Sequence, residues 1–233
     1  MIKRLAIIPA RGGSKRIPNK NIKYFAGKPM ISHIITKAIS SKLFDKIHVS
    51  TDSEQIAQIA IDSGLIIDFY RDKNLCDDYT PIMPVLRYVL NKLEDLGQKY
   101  DEVWSLMACA PMVTISDLIG ASDMMIKNNH KAPLLAVAEY PVPVEWAFKR
   151  KKNKQLEPMM PGKFALRSQD IETSFFDAGA FSVFPSEIIF KSQGAGSDEG
   201  FLGYPILKSK AIDIDTIEDW DLAESIFNFY NKI

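Results

Sequence analysis

The segment between residues 8 and 21 has the composition of an anion-binding loop. Gly12 and Gly13 follow a short apolar run, and the cations Arg11, Lys15 and Lys20 stand beside them. Glycine lets backbone N–H groups approach an anion, and arginine can hold a phosphate through two hydrogen bonds. The segment lacks the Gly-Lys-Ser/Thr ending of a Walker A loop and the Gly-x-Gly-x-x-Gly spacing of a dinucleotide loop. We expect it to bind the phosphates of a nucleoside triphosphate, and a solvated basic loop is the alternative.

A pair of carboxylates near the C-terminus has the spacing of a cation site. Asp213 and Asp215 flank Ile214, and in a strand such alternation puts both carboxylates on one face. Two hard oxygen donors suit Mg²⁺, which completes its coordination shell with waters and phosphate oxygens. The alternative is helix capping, in which Asp215 caps a helix that starts at Thr216 and Glu218 completes a capping box.

Positive and negative charge are concentrated at opposite ends of a chain whose formal net charge is zero. The first acidic residue is Asp45, which follows a stretch rich in lysine and arginine, whereas residues 213–224 contain acids and no base. Two such ends can enclose a ligand that carries both phosphates and a divalent cation, although many of these charges suit solvated helix faces. A nucleic-acid partner is not expected, because the basic stretch lacks interleaved aromatic residues.

Short apolar runs alternate with helical periods along most of the chain. Such repeated units predict a mainly parallel sheet with right-handed crossovers, in which ligands bind at the carboxyl ends of the strands. Strands are predicted at residues 5–9, 47–50, 66–70, 103–108, 133–138, 181–184 and 210–214. Helices are predicted from Met30, after Asp52 or Ser53, from Met83 to Leu96, from Ser116, and at the C-terminus with Ile217, Trp220, Leu222, Ala223, Ile226 and Phe227 buried.

The fold class expected is therefore α/β, three-layered and Rossmann-like, in a single domain over residues 1–233. Between about residues 139 and 177, prolines and a basic turn interrupt the alternation of strand and helix patterns. This pattern predicts a hairpin-like excursion that serves as a lid or a dimerisation arm. No apolar run is long enough to cross a membrane. Cys76 and Cys109 form no disulfide framework and lack metal-ligand spacing, which is typical of a reduced cytoplasmic protein.

Several motifs stand in a fixed order along the chain: segments 11–15, 27–29, 50–52, 110–111 and 213–215, together with Pro18, Lys20, Asn21 and Arg71. In this order they resemble the CMP-sialic acid synthetase (acylneuraminate cytidylyltransferase) family over nearly the whole chain. The resemblance implies a nucleotidyltransferase fold, Mg²⁺ dependence, a homodimer, and transfer of CMP from CTP to a nonulosonic acid.

Within that family the chain most resembles the branch that activates pseudaminic acid. The supporting segments are 139–143, 167–170 and 176–181, and they suggest Arg167, Gln169 and Asp177 as sugar-binding residues. Turn chemistry is the alternative role for Gln169. Met107 stands where sialic-acid enzymes of the family usually have glutamine, which favours a more apolar, deoxygenated sugar unless Met107 is simply part of the core.

The resemblance also implies roles for individual residues. Arg11 and Lys15 should hold the triphosphate, and Lys20 should lie near the charge that develops on pyrophosphate. Asp213 and Asp215 should hold the metal. The remaining candidates for nucleotide binding are Ala10, Gly12, Gly13, Ser14, Asn21, Arg71 and Thr80.

Other acceptors and other classes of protein stay open at this point. Legionaminate, N-acetylneuraminate and 3-deoxy-manno-octulosonate are alternative acceptors. A nucleotidyltransferase acting on a sugar 1-phosphate would share the glycine- and lysine-rich first loop. A NAD-dependent oxidoreductase would share the alternating pattern, and a non-catalytic sugar-binding module would need neither a triphosphate loop nor a carboxylate pair.

Overall fold

The computed structural model describes residues 2–197 and 199–231. Its strands are Arg4–Pro9 (β1), Tyr24–Phe25 (β2), Lys28–Pro29 (β3), Lys46–Ser50 (β4), Glu102–Leu106 (β5), Leu134–Glu139 (β6), Phe148–Arg150 (β7), Leu156–Pro158 (β8), Phe175–Pro185 (β9) and Leu202–Pro205 (β10). Its α-helices are Met30–Ser41 (α1), Glu54–Asp62 (α2), Ile82–Asp95 (α3), Ile115–Lys127 (α4), Ser186–Lys191 (α5) and Ile217–Asn231 (α6). In this part of the chain no helix is long and apolar enough to span a bilayer.

Six strands form one sheet in the order β10-β6-β9-β5-β1-β4. β1 pairs in parallel with both β4 and β5, and β10 pairs in parallel with β6. β9 runs antiparallel to β5 and β6, because the chain leaves β6 at its carboxyl end and returns from that same end. The predicted α/β fold with a mostly parallel sheet is confirmed.

Helices cover both faces of this sheet, and the sequence of β1 shows why. Ala6 and Ile8 pack in the core beneath α1, α2 and α4, whereas Leu5 and Ile7 pack in the core beneath α3 and α5. Successive side chains of a strand point to opposite faces, so a strand covered on both sides must be apolar throughout. This arrangement gives the three layers that were expected.

The predicted strand at residues 66–70 is wrong. This segment pairs with no strand of the described chain, and at its end Arg71 N–H donates to the carbonyl of Thr51, just after β4. Side chains hold it beside β4 instead, with Phe69 against His48 and Asp68 bound to Lys46. Apolar alternation predicts an extended backbone, but a ladder also needs main-chain groups placed opposite each other.

The predicted strand at residues 210–214 is also wrong. The edge position beside β6 belongs to β10, whose Gly203 and Pro205 hid its strand character in the sequence. Residues 211–215 are irregular and lie at the cleft described below.

Helix α6 begins and packs differently from the expectation. Trp220, Ala223 and Phe227 are buried, whereas Ile217 and Leu222 are 49% and 53% exposed. The helix turns one face to the core, and spacings of three and four residues bury Trp220, Ala223 and Phe227, while Ile226 is half-buried against the same core.

The capping box at the start of α6 uses neither of the predicted residues. Thr216 accepts a hydrogen bond from Asp219 N–H, and the Asp219 carboxylate accepts from the N–H groups of Asp215 and Thr216. The Asp215 carboxylate is therefore not used as a cap, and Glu218 does not complete the box.

The excursion between β6 and β9 contains the expected hairpin. β7 and β8 pair antiparallel, and a hydrogen bond from Tyr140 N–H to the carbonyl of Ser174 closes its base. Phe148 contacts Phe164 edge to face within it. Several of its apolar side chains are exposed, among them Val142, Leu156, Met159, Met160 and Phe164.

Candidate active site

A cleft of about 380 Å³ lies where β1 and β5 end. Stretches of chain that are far apart in sequence form its walls: the loop after β1, the segment between Arg71 and the start of α3, residues 107–109 after β5, Gly179 of β9, and the segment before α6. The predicted site residues that line it are Arg11, Ser14, Lys15, Lys20, Asn21, Arg71, Thr80, Met107 and Asp213.

Two cations of the first loop converge on one point of the cleft. Arg11 Nη2 lies 2.6 Å from Asp78 Oδ1, and Lys15 Nζ contacts the other oxygen of the same carboxylate. Hydrogen bonds from Lys15 and Arg11 hold the pKa of Asp78 below its usual value. The position between these two cations is thus suited to an anion.

The two glycines of the loop differ in their surroundings. Gly12 N–H donates a 2.9 Å hydrogen bond to Asp52 Oδ1, so this N–H group already has a partner within the chain. A Cβ on Gly12 would lie 3.1 Å from Ser53 Cβ, so glycine allows the loop to approach the start of α2. Gly13 has open space at the corresponding position. Ala10 is buried and donates its N–H to Ser50, which extends the pairing of β1 with β4.

Lys20 and Arg16 join the first loop to the C-terminal carboxylates. Lys20 Nζ donates to the carbonyl of Ile214 at 2.6 Å and lies 3.5 Å from Asp215 Oδ1. Arg16 Nη1 lies 2.5 Å from the second oxygen of Asp215. The basic and acidic ends of the chain therefore meet across the cleft.

Asp213 and Asp215 lie in an irregular segment and not on a strand. Ile214 is buried between them, whereas Asp213 lines the cleft and Asp215 faces Arg16. Burial, and then the charge of Asp215, raises the pKa of Asp213 above its ordinary value. The described residues contain no group of three or more acidic, histidine or cysteine side chains that could hold a metal.

Asn21 and Arg71 hold the walls of the cleft. Asn21 Nδ2 donates to the carbonyl of Arg11 at 3.0 Å, and the thiol of Cys109 donates to Asn21 Oδ1. Arg71 is buried and donates to the hydroxyl and carbonyl of Ser50 at 3.0 and 2.6 Å. Burial raises the pKa of Cys109 to about 11, so this thiol is not a nucleophile near neutral pH.

Thr80 is engaged in a turn at the mouth of the cleft. Its hydroxyl and its N–H both donate to Asp77 Oδ1, which also accepts from Tyr79 N–H. These hydrogen bonds lower the pKa of Asp77. The turn sets the path of the chain through Asp78.

The residues expected to contact a sugar are separated within one chain. Met107 lines the cleft, is 38% exposed, and donates its N–H to Ala180. Asp177 accepts from the N–H of Gly179, and Gly179, but not Asp177, lines the cleft. Two more of these residues are exposed on the excursion and outside the cleft, Arg167 in an ion pair with Asp170, and Gln169.

Histidine supplies no candidate base here. His33 and His48 are buried in the fold, and burial lowers the pKa of each to about 4. His130 contacts Glu102 instead. No histidine of the described chain lines the cleft.

Sequence patterns missed several residues of the cleft. Arg16 was hidden among other cations, and Asp78 was one of several acids in a polar loop. Cys109 follows β5 and Gly179 lies within β9, and neither has a distinguishing pattern in the sequence. The cleft residues that were not predicted are Pro9, Arg16, Ile17, Leu75, Asp77, Asp78, Ile82, Val85, Ala108, Cys109, Gly179 and Ile212.

The first strand of the mostly parallel sheet is followed by a cationic loop, which faces carboxylates across a cleft. These features define the class: an α/β protein that binds phosphorylated ligands. The model of a family described as Cytidylyltransferase matches residues 5–159. The chain belongs to this cytidylyltransferase family and is a nucleotidyltransferase.

Two relatives cover nearly the whole chain. It is 38% identical over 232 residues to the pseudaminic acid cytidylyltransferase of Campylobacter jejuni subsp. jejuni serotype O:2, covering 97% of each protein. It is 30% identical over 229 residues to the CMP-N,N'-diacetyllegionaminic acid synthase of Legionella pneumophila, covering 95% of each.

A solved structure supports the fold. The structure of CMP:2-keto-3-deoxy-manno-octonic acid synthetase complexed with CTP matches with a TM-score of 0.72 and 15% identity, over 98% of this chain and 99% of that one. At this identity the match concerns the fold alone.

Proposed function

We propose that this chain is a single-domain enzyme that transfers CMP from CTP to pseudaminic acid and releases pyrophosphate. The observation that carries the proposal is the convergence of Arg11, Lys15 and Lys20 with Asp213 in one cleft at the carboxyl ends of parallel strands. The full-length relative named for pseudaminic acid supports the choice of nucleotide and acceptor. CTP is a cytoplasmic metabolite, so we propose that the enzyme works there.

The reaction needs charge neutralisation and alignment more than covalent help. The anomeric oxygen of the sugar attacks the α-phosphorus of CTP in line, and the bond from that phosphorus to the pyrophosphate oxygen breaks. Arg11 and Lys15 hold the β- and γ-phosphates, with Ser14 and Gly13 on the same loop. Lys20 lies beside the leaving group, and Ala10, Gly12, Asn21 and Arg71 keep the loop and the cleft wall in place.

The carboxylates fit a divalent cation. Asp213 is open to the cleft, and Asp215 lies beside it with hard oxygen donors. Two carboxylates with waters and phosphate oxygens make a donor set that Mg²⁺ accepts. Mg²⁺ bound there would supply positive charge to the phosphates and lower the pKa of a hydroxyl bound to it. We therefore propose Asp213 and Asp215 as metal ligands.

We propose that the sugar binds at the Met107 side of the cleft, near Gly179. An apolar side chain at this wall suits a deoxygenated sugar, because it leaves no buried amide without a partner. Asp177 lies two residues from Gly179 and accepts a hydrogen bond from the Gly179 N–H group. It stays a candidate for contact with the sugar or for positioning this wall.

The excursion is proposed as a dimerisation arm. Its exposed apolar side chains, including Leu156, Met159 and Phe164, favour burial against a second copy of the chain. In a homodimer, Arg167 and Gln169 would then approach the partner's cleft. Light scattering should give twice the chain mass, and a Leu156→Glu, Phe164→Glu variant should give the single-chain mass. An unchanged mass in that variant would reject the arm.

Pyrophosphate release from CTP and Mg²⁺ tests the function. Pseudaminic, legionaminic, N-acetylneuraminic and 3-deoxy-manno-octulosonic acids should be offered in parallel, with mass spectrometry of the CMP-sugar. We expect the highest kcat/KM with pseudaminic acid. Preference for another acid would keep the reaction and change the acceptor. Release with UTP and a sugar 1-phosphate, but not with CTP, would reject the proposal.

A further inference from the structure

The carboxylate of Asp78 lies where a polyphosphate is expected. One of its oxygens is 2.6 Å from Arg11 Nη2, and the other contacts Lys15 Nζ. Asp78 belongs to the segment between Arg71 and α3, which faces the first loop across the cleft. Both oxygens are therefore bound to the two cations that the proposed function assigns to the phosphates.

The neighbouring residue gives Asp78 this orientation. Asp77 Oδ1 accepts from the N–H groups of Tyr79 and Thr80 and from the Thr80 hydroxyl. Asp77 thus closes the turn from within, while the adjacent Asp78 side chain projects to the cations. The two adjacent aspartates have different contacts: Asp77 bonds within its own turn, and Asp78 forms ion pairs with Arg11 and Lys15 of the first loop.

We infer that Asp78 is an internal competitor for polyphosphate at Arg11 and Lys15. The consequence for catalysis rests on the proposed function. CTP must displace the Asp78 carboxylate in order to bind, and the carboxylate helps pyrophosphate to leave when it returns to the two cations. The groups are partly exposed, so the ion pairs are weak and reversible. Two pairs of this kind correspond to about a three- to tenfold effect on a binding constant.

Binding of inorganic tripolyphosphate, measured by calorimetry in EDTA at fixed ionic strength, tests the competition without turnover. Asp78→Asn should bind tripolyphosphate and pyrophosphate about three- to tenfold more tightly than the wild type. Asp78→Glu keeps the charge and should bind within twofold of the wild type, about the resolution of the method. Asp78→Ser also removes the carboxylate, so it should bind tripolyphosphate more tightly by the same factor as Asp78→Asn.

Asp77→Asn is the matched control. It removes the same charge from the same loop but retains the oxygen that closes the turn. Its affinity for tripolyphosphate should change by less than about twofold, because no cation of the first loop is released. An equal gain in this variant would mean a general field effect, and it would overturn the inference. Unchanged or weaker binding by Asp78→Asn would overturn it as well.

Failure of this inference and failure of the proposed function give different results. A wild-type protein that makes the CMP-sugar, with no tighter tripolyphosphate binding in Asp78→Asn, overturns the competition and keeps the enzyme. Tighter binding in Asp78→Asn, with no CMP-sugar from the wild type, supports the competition and overturns the enzyme. In an active enzyme, Asp78→Asn should also be inhibited by pyrophosphate at about three- to tenfold lower concentrations.

Discussion

The Nζ atom of Lys20 lies 2.6 Å from the carbonyl oxygen of Ile214, although 194 positions separate the two residues. This hydrogen bond joins the phosphate-binding loop to the segment that carries Asp213 and Asp215. A cation that donates to the backbone between two carboxylates keeps both carboxylates close to the first loop. The geometry therefore couples the proposed phosphate and metal sites.

Lys20→Ala should reduce kcat by about 100-fold, as expected for loss of a charge that stabilises the leaving group. It should also lower the free energy of unfolding by about 1–2 kcal/mol, because the Ile214 carbonyl loses a charged donor. Steady-state kinetics and urea denaturation measure the two effects. Lys23→Ala removes a cation that lies over the Trp220 ring and outside the cleft, and its kcat should stay near the wild-type value. Equal losses in both variants would contradict the role of Lys20.

Asp213→Asn should raise the Mg²⁺ concentration for half-maximal activity by about tenfold or more, since even indirect partners of a metal site contribute this much. Binding of Mn²⁺, followed by electron paramagnetic resonance, should weaken in parallel. Asp215→Asn should weaken the metal and also lower kcat, because Arg16 and Lys20 lose their partner. Asp221→Asn, on the exposed side of α6, is the control for charge. If Asp213→Asn binds Mn²⁺ as tightly as the wild type, Asp213 is not a metal ligand.

Gly12→Ala should impair the enzyme far more than Gly13→Ala. A Cβ at Gly12 would press on Ser53 Cβ at 3.1 Å and loosen the hydrogen bond to Asp52, whereas a Cβ at Gly13 meets open space. We expect a loss of about 1–3 kcal/mol in the free energy of unfolding for the first variant only. Its KM for CTP should rise as the loop shifts. Denaturation curves and CTP kinetics of the two variants test this prediction. Equal stability and equal KM in both would show that position 12 does not require glycine for its approach to Ser53.

Met107→Gln should lower kcat/KM for pseudaminic acid by about tenfold or more, because the amide would face an apolar part of the sugar without a partner. Met107 is on the cleft wall and partly exposed, so the replacement has room. The KM for CTP should remain within about twofold, since Met107 forms no hydrogen bond or ion pair with the phosphate cations through its side chain. Competition assays with paired acceptors give the specificity directly. Unchanged acceptor preference would place the determinant elsewhere.

The free energy of unfolding should fall on acidification because His48 is buried. Burial lowers its pKa from 6.5 to about 4, and nearby Lys46 and Arg71 act in the same direction while Asp68 opposes them. At pH 7 the ring is neutral in both states. Below pH 6.5 the unfolded chain takes up the proton first, so the contribution of His48 to the free energy of unfolding falls by about 2 kcal/mol between pH 7 and pH 5. His33, whose pKa is lowered in the same way, adds a separate loss.

A variant without the imidazole isolates this contribution. His48→Leu should lose about 2 kcal/mol less than the wild type over the same pH range, measured by urea denaturation at both values. The comparison cancels the other groups that titrate in this range. A loss equal to that of the wild type would show that His48 does not carry this acid sensitivity.

Much of the fold followed from local pattern. The strands β1, β4, β5 and β6 and the helices α1 to α4 were predicted close to their observed positions. Burial on two faces demands a continuous apolar run, as in β1, and one buried face gives each helix its apolar period. The pattern did not reveal β10, whose Gly203 and Pro205 are poor strand formers. It also wrongly predicted a strand at residues 66–70, since apolar alternation does not show whether the main-chain groups of a segment lie opposite a partner strand.

The sequence by itself determined the cations of the first loop, the paired aspartates near the C-terminus and the alternation that builds a parallel sheet. These features depend on neighbours in the chain. Only the tertiary structure decided that Asp78 faces Arg11, that Arg71 supports the wall beside Ser50, and that Lys20 holds Ile214. Such contacts join residues far apart in the chain, and strand order and packing, which no local spacing encodes, bring them within hydrogen-bonding distance.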